Sequence, residues 1–328
     1  MNRRLWCGIT VLSVVALVFV MSTNYKGLLV RKLAGRKGLR RIKEYGIINE
    51  DKLNRELYDG VESFLMFIGY PRSGHTLISS LLDAHPNAIV ANEFDDIGEW
   101  QNWIPTNRNK YFLFDQLYLN SKMEADTGYR SATVQHRFNY SVPGQWQGTF
   151  DQKVLVMGAK KGGHTTRRLM KRENMKLLKD IHRVLKIPMK FLHVVRNPYD
   201  NIATMMLRDL KKRPDAEEKI NDPDNLDNQI AKYMSLAARN NQLTKVLPGD
   251  VHEIHSSELI KEPKKTLLGI CQFLHLSCDQ KYIEDCSKRI YPEASKTRYN
   301  VIWTDQQRET VRKKLQRFQS TRGYGFDD

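Results

Sequence analysis

Apolar positions along the chain follow two different periods. Short uninterrupted runs at Phe64–Ile68, Ala88–Ala91, Val154–Met157, Phe191–Val195 and Val251–Ile254 suit strands buried on both faces. Between them, apolar residues recur at helical spacing over Thr76–Ala84, Thr165–Leu185, Asn201–Leu210, Ile230–Lys245 and Pro263–Leu274. Short strands alternating with amphipathic helices predict an α/β fold, a parallel sheet with helices on both faces. Ligands bind such sheets at the carboxyl ends of the strands, so the chemistry should sit directly after each strand. No repeat or low-complexity linker interrupts residues 61–328, which read as one domain.

The N-terminal run has a different character. Leu5–Ser22 contains no charged residue, and as a helix it would rise about 27 Å, close to the roughly 30 Å hydrocarbon core of a bilayer. Arg3 and Arg4 precede it, and its end, Val-Met-Ser-Thr, is a poor cleavage site. This favours a retained transmembrane anchor over a cleaved signal peptide. The chain then divides into a short tail (1–4), an anchor (5–22), a basic stem (23–60) and the domain proper (61–328). Residues 26–43 hold Lys26, Arg31, Lys32, Arg36, Lys37, Arg40, Arg41 and Lys43 and no acid. The positive-inside rule would put the body in the cytosol. An Arg-Arg tail, an anchor and then a catalytic body is the order of a lumenal enzyme, and the sequence leaves both orientations open. The stem is either a solvated helix or a strip lying on anionic headgroups.

Composition narrows the classes. Of 328 residues, 53 are Lys or Arg and 37 Asp or Glu, a net charge of +16 that calls for an anionic partner. With 41% hydrophobic residues the chain is not mainly disordered, and with four cysteines it is not a disulfide scaffold. No long apolar run follows residue 22, which excludes a multi-span membrane protein. The basic residues lack aromatic interleaving and no recognition motif appears, so nucleic acid is not the expected partner. Cys271, Cys278 and Cys286 would give one bridge and one free thiol in an oxidising lumen, and their spacing does not suit zinc. Asn139-Tyr140-Ser141 is a glycosylation sequon.

The strongest motif follows the first strand: Phe67-Ile68-Gly69-Tyr70-Pro71-Arg72-Ser73-Gly74-His75-Thr76-Leu77. Unpaired N–H groups at the start of the next helix would face an anion there. The frame Gly69-x4-Gly74-x-Thr76 is that of a nucleotide-triphosphate loop, but His75 stands where the phosphate-reaching Lys belongs, which argues against ATP or GTP hydrolysis. The cation lies inside the loop instead, at Arg72. Further on, Phe191–Val195 ends in Arg196-Asn197-Pro198, and Thr204 follows eight residues after Arg196 on a helix. An Arg at a strand end and a hydroxyl on the next helix can hold one phosphate from two sides. A third strand leads into the basic, glycine-rich turn Lys160-Lys161-Gly162-Gly163-His164.

The Pro-Arg-Ser-Gly-x-Thr-Leu loop, with Leu82-Asp83-Ala84-His85-Pro86 and Asn92-Glu93 downstream, resembles the sulfotransferases that use 3′-phosphoadenosine 5′-phosphosulfate (PAPS). It looks most like the Golgi tyrosylprotein and carbohydrate enzymes. The resemblance implies a P-loop-type fold, a Golgi membrane location and a site in which the loop holds the 5′-phosphosulfate. It assigns donor contacts to Arg72, Ser73, Gly74, His75 and Thr76, and the 3′-phosphate to Arg196 and Thr204. Lys296 and Arg298 would close over the donor; an exposed basic loop is the other reading of that segment. Glu93 would be the catalytic base, with Arg72 and Lys160 stabilising the charge that develops; Lys161 rivals Lys160. His75 replaces the usual Thr or Ser, and Thr204 replaces Ser.

His164 is either a base, as a His is in the cytosolic branch, or a solvated loop residue. Trp100, Trp103 and Tyr111 either line an acceptor cleft or belong to the core. The acceptor is a hydroxyl on a glycan, a tyrosine or a small alcohol, and no metal is required. The competing functions are an inactive relative that binds nucleotide or glycan, and a P-loop kinase.

Overall fold

A computed structural model describes residues 55–126, 139–212 and 218–328. The tail, the anchor and nearly all of the stem lie outside these residues, so the expectations for them are not addressed. Among the described residues no helix is long and apolar enough to cross a membrane.

Five strands form the sheet: β1 (Ser63–Gly69), β2 (Ala88–Asn92), β3 (Val156–Lys160), β4 (Met189–Val195) and β5 (Gly249–His255). All pair in parallel, in the order β2-β3-β1-β4-β5. Every residue of β1 to β4 is buried, as the uninterrupted apolar runs require of strands covered on both faces. β5 is an edge strand and is only partly buried.

Among the described residues twelve α-helices accompany the sheet. They are α1 (Arg55–Asp59), α2 (His75–Asp83), α3 (Asp96–Asn102), α4 (Lys110–Asp126), α5 (Gly163–Arg168) and α6 (Arg172–Leu185), then α7 (Pro198–Asp209), α8 (Pro223–Val246), α9 (Ser256–Lys261), α10 (Pro263–Phe273), α11 (Gln280–Ser287) and α12 (Asp305–Leu315). The period of two in β1 divides the core. Phe64, Met66 and Ile68 pack with Leu113 and Phe114 of α4 and Leu178 and Ile181 of α6. Leu65 and Phe67 pack on the other face with Leu81 of α2, Ile270 of α10 and Ile283 of α11. A third cluster joins Tyr70 and Val195 at the strand ends to α7, α8, α12 and Trp303.

Three features differ from the sequence pattern. The segment Thr165–Leu185 is two helices, because the chain turns at Leu169–Lys171 between α5 and α6. The compact body extends back at least to Arg55, ahead of the expected boundary at residue 61. Tyr58 is buried there, donates to Asp115 at 2.9 Å and meets Phe114 edge-on. Trp100 and Trp103 pack in the core, Tyr111 packs against it with its hydroxyl donating to Asp59, and none of the three lines the cavity at the strand ends. A disulfide joins Cys271 at the end of α10 to Cys278 before α11, and Cys286 remains a buried thiol.

The Leu-Asp-Ala-His-Pro motif is structural. Asp83 accepts from Val90 N (2.6 Å), Ser121 Oγ (2.7 Å) and Gly148 N (2.9 Å), tying α2 to β2, α4 and a distant loop. The ring of His85 accepts from Asn87 N and bonds the carbonyl of Ser277.

Candidate active site

The carboxyl ends of all five strands open into one cavity of about 1040 Å³. It receives Pro71–Ile78 after β1, Glu93 after β2, Lys161, Gly163 and His164 after β3, Arg196 and Asn197 after β4, and Ser256 and Ser257 after β5. Its size lies at the upper end of the range for small-molecule sites, roughly 300–1,000 Å³, so it has room for more than a small ligand.

The first loop turns at Arg72 and Gly74, both with positive φ (68° and 97°). Gly74 caps α2, and its carbonyl accepts from Leu77 N (3.1 Å); the amides that precede Leu77 meet the cavity at the positive end of the helix. The Ser73 hydroxyl donates to Tyr70 O (3.1 Å) and lies 3.1 Å from His75 Nδ1. Burial, followed by the charge of Lys160, pushes the His75 imidazole down to about 3, so it is neutral and acts as a hydrogen-bonding group. The loop is braced from several elements. Gly69 N donates to Thr166 Oγ1 (2.9 Å), and Asn201 Nδ2 donates to Pro71 O (2.6 Å). Gly163 packs so closely on Pro71 that a Cβ there would lie 2.5 Å from its ring.

Lys160, the last residue of β3, is fully buried. Its ammonium donates to the Glu93 carboxylate and to Thr76 Oγ1 (2.9 Å). Lys161 instead donates to the Glu93 carbonyl (3.0 Å), so the two lysines hold different atoms of one residue. Glu93 itself has φ 54°, a left-handed conformation. Of the other non-glycine residues with positive φ among those described, Lys186, Lys211 and His275 follow the ends of α6, α7 and α10. Arg72 and Glu93 follow strands, where such backbone carries a cost that the surrounding contacts must offset. Burial raises the Glu93 carboxyl, but the charge and hydrogen bond of Lys160, with His75 and Lys161, outweigh it and hold the group below its ordinary value.

After β4, Arg196 donates to the hydroxyl oxygens of Thr204 and Thr297, each at 3.2 Å, to Ser295 O (2.5 Å) and to Arg72 O (3.4 Å). The two basic motifs therefore touch, and the segment 295–298 lies across them. Asp200 fixes that segment by accepting from Arg298 N (3.0 Å) and Arg298 Nη1 (2.6 Å). Arg298 also donates to Asp328 O. Its charge is thus engaged by Asp200, and its side chain is only 1% exposed. Lys296 lines the cavity.

Arg208 was not singled out in the sequence. It stands on α7 one turn after Thr204 and lines the cavity, where its charge opposes that of Arg72. Its Nε is buried and has no hydrogen-bond partner among the described residues. The signal was the i, i+4 spacing from Thr204, which puts both on one helical face. Thr297, within the Lys296–Arg298 segment expected to close over the donor, is buried and its hydroxyl meets Arg196 Nη2 (3.2 Å) and Thr204 Oγ1 (2.8 Å). His164 reaches the cavity wall, with Nε2 3.2 Å from Asp95 Oδ2; Arg168 clamps the same carboxylate. Among the described residues no group of His, Cys, Asp and Glu could hold a metal ion.

Residues 65–280 match the family model described as the sulfotransferase family. The chain belongs to the sulfotransferase family. No curated protein matches it significantly in sequence. Similar solved structures include the sulfotransferase domain of the Synechococcus PCC 7002 olefin synthase, at 14% identity over 69% of this chain and 77% of that one, with a TM-score of 0.41. A sulfotransferase from Mycobacterium avium is 12% identical over 81% and 80% of the two chains, with a TM-score of 0.41. A mouse sulfotransferase complexed with PAP is 12% identical over 84% of this chain and 90% of that one, with a TM-score of 0.42.

Proposed function

We propose that this family member is a PAPS-dependent sulfotransferase, anchored in the Golgi membrane with its domain in the lumen, that sulfates a hydroxyl of a glycan, tyrosine or small alcohol. The observation that carries the reading is the meeting of the Pro71–Thr76 loop, Glu93 and the Arg196–Thr204 pair in one cavity, with Lys160 buried behind Glu93 as its ion-pair partner. The residues fit the donor's charge. The orphaned Nε of Arg208 and the guanidiniums of Arg72 and Arg196 form a cationic set suited to a phosphate dianion. The Cys271–Cys278 disulfide supports an oxidising compartment, because such bridges are rare in the cytosol.

When bound, the donor supplies a sulfuryl group attached to a phosphate leaving group. Arg196, Thr204 and Arg208 hold the 3′-phosphate, and the amides of Gly74, His75 and Thr76 receive the 5′ end. Arg72 and Lys160 offset the negative charge that develops there, a contribution of several kcal/mol in a water-poor site. Arg72 acts by charge alone, since a guanidinium does not release its proton. Glu93 accepts the proton of the acceptor hydroxyl. A carboxylate held below its ordinary value is a weak base, so Glu93, the more exposed partner, would have to move off the fixed Lys160 ammonium to take the proton.

The test is isotope transfer from labelled PAPS across peptides, glycans and small alcohols, with PAP binding measured by calorimetry. Glu93→Gln is expected to bind PAP normally and transfer nothing. Full activity in that variant removes Glu93 as base, and absence of PAP binding by the wild type removes the whole reading.

A further inference from the structure

Asn139-Tyr140-Ser141 is the one Asn-x-Ser/Thr triplet in the sequence, and the sulfuryl-transfer site does not use it. Asn139 is exposed, whereas Tyr140 and Ser141 are half-buried. The Asn139 carbonyl oxygen accepts from Ser141 N at 2.9 Å, so the side chain closes a turn on its own backbone. Its amide nitrogen has no partner among the described residues. The turn is fixed to the body by Gln147, which donates to Tyr140 O and Ser80 O (both 3.0 Å) and accepts from Val142 N (2.7 Å). Tyr140 in turn lines the cavity alongside Arg72, Glu93 and Arg208. A substituent on Asn139 would leave into solvent without disturbing this packing, and it would stand beside the cavity wall.

The Cys271–Cys278 bridge is a second and independent sign of the compartment in which such sequons are used. We infer that Asn139 carries an N-linked oligosaccharide. In the modification, a bond forms between Asn139 Nδ2 and the anomeric carbon of a lipid-diphosphate-linked oligosaccharide. The bond from that carbon to the diphosphate oxygen breaks, the lipid diphosphate leaves, and one Nδ2 proton is lost to base. No redox change is involved. The inference rests on the lumenal orientation proposed above.

The test uses the full chain expressed in eukaryotic cells that carry out N-glycosylation, treated with an amidase that removes N-linked glycans. A single loss of mass is expected in the wild type. The loss should vanish in Asn139→Gln and in Ser141→Ala, and it should persist in Ser141→Thr, which keeps a hydroxyl at the third position. Thiol blocking before and after reduction reports the Cys271–Cys278 bridge in the same material. An oxidised bridge with no loss of mass overturns the site while leaving the lumenal orientation standing. Reduced thiols together with no loss of mass overturn both. A mass loss that survives Asn139→Gln assigns the glycan elsewhere and also overturns the site.

Discussion

Lys160 holds the carboxylate of Glu93 from the floor of the sheet, and the two are brought together by the pairing of β3 with β2. The ammonium is fully buried, while the Glu93 side chain is 43% exposed. The cation is therefore fixed, and the carboxylate is the partner free to face an incoming acceptor.

This arrangement sets a pH dependence. Because the Glu93 carboxyl is held below its ordinary value, the base stays ionised at the usual carboxylate titration and is lost only at more acid pH. In Lys160→Met the opposing charge is gone and burial remains. The acid limb of the kcat/KM profile should then move upward by roughly 1–3 pH units, the size of effect that one close opposite charge has on a carboxylate. An unmoved limb would show that another group controls it.

Arg208 and Arg196 should both govern donor affinity. Hydrogen bonds to charged groups are worth about 1.5–3 kcal/mol, so either Ala substitution should weaken PAP binding by roughly 10- to 100-fold. Thr204→Ala loses one neutral partner and should cost about 0.5–1.5 kcal/mol. Calorimetric titration with PAP orders the three. Wild-type affinity in Arg208→Ala would mean that its unpartnered nitrogen serves no phosphate.

Asp200 and Arg298 form an ion pair with both side chains almost fully buried. Removing one partner strands the other, at a cost of about 3–5 kcal/mol. Asp200→Ala should unfold at markedly lower denaturant concentration, and Asp200→Ala with Arg298→Met should recover part of the loss. The single variant should also bind PAP poorly, since the 295–298 segment that touches Arg196 loses its tether.

Gly163→Ala tests the loop support. The added carbon would lie 2.6 Å from the backbone nitrogen of Pro71, so either the loop or α5 must shift. Overpacking of this kind costs about 1–3 kcal/mol. We expect a lower melting temperature and weaker PAP binding together, checked by thermal unfolding and titration. A change in melting temperature alone would separate the fold from the loop.

The sequence carried the sheet and both basic motifs because buried parallel strands leave continuous apolar runs, and motifs attach to their ends. It did not reveal α4: its buried Leu113, Phe114, Leu117 and Ser121 share one helical face, but Phe112, Tyr118, Leu119 and Met123 put apolar side chains on the others, so no stripe stands out. The break between α5 and α6 was hidden because Leu169, Met170 and Lys171 are all good helix formers; tertiary packing decides the turn there. The aromatics after Glu93 could not be divided between cleft and core, since ring residues serve either. The burial of Arg298 was not legible because its partner, Asp200, is 98 residues away along the chain.

The pairing of β1 directly with β4 has an evolutionary consequence. Arg72 and Arg196 are 124 residues apart along the backbone, yet Arg196 Nη1 reaches Arg72 O at 3.4 Å because the strands they follow are neighbours in the sheet. Between them the chain adds β3 and β2 to the far side of β1, so the pairing of β1 with β4 is untouched by what joins the other strands. Those joining loops can thus lengthen, shorten or be exchanged between lineages while Arg72 and Arg196 stay in contact.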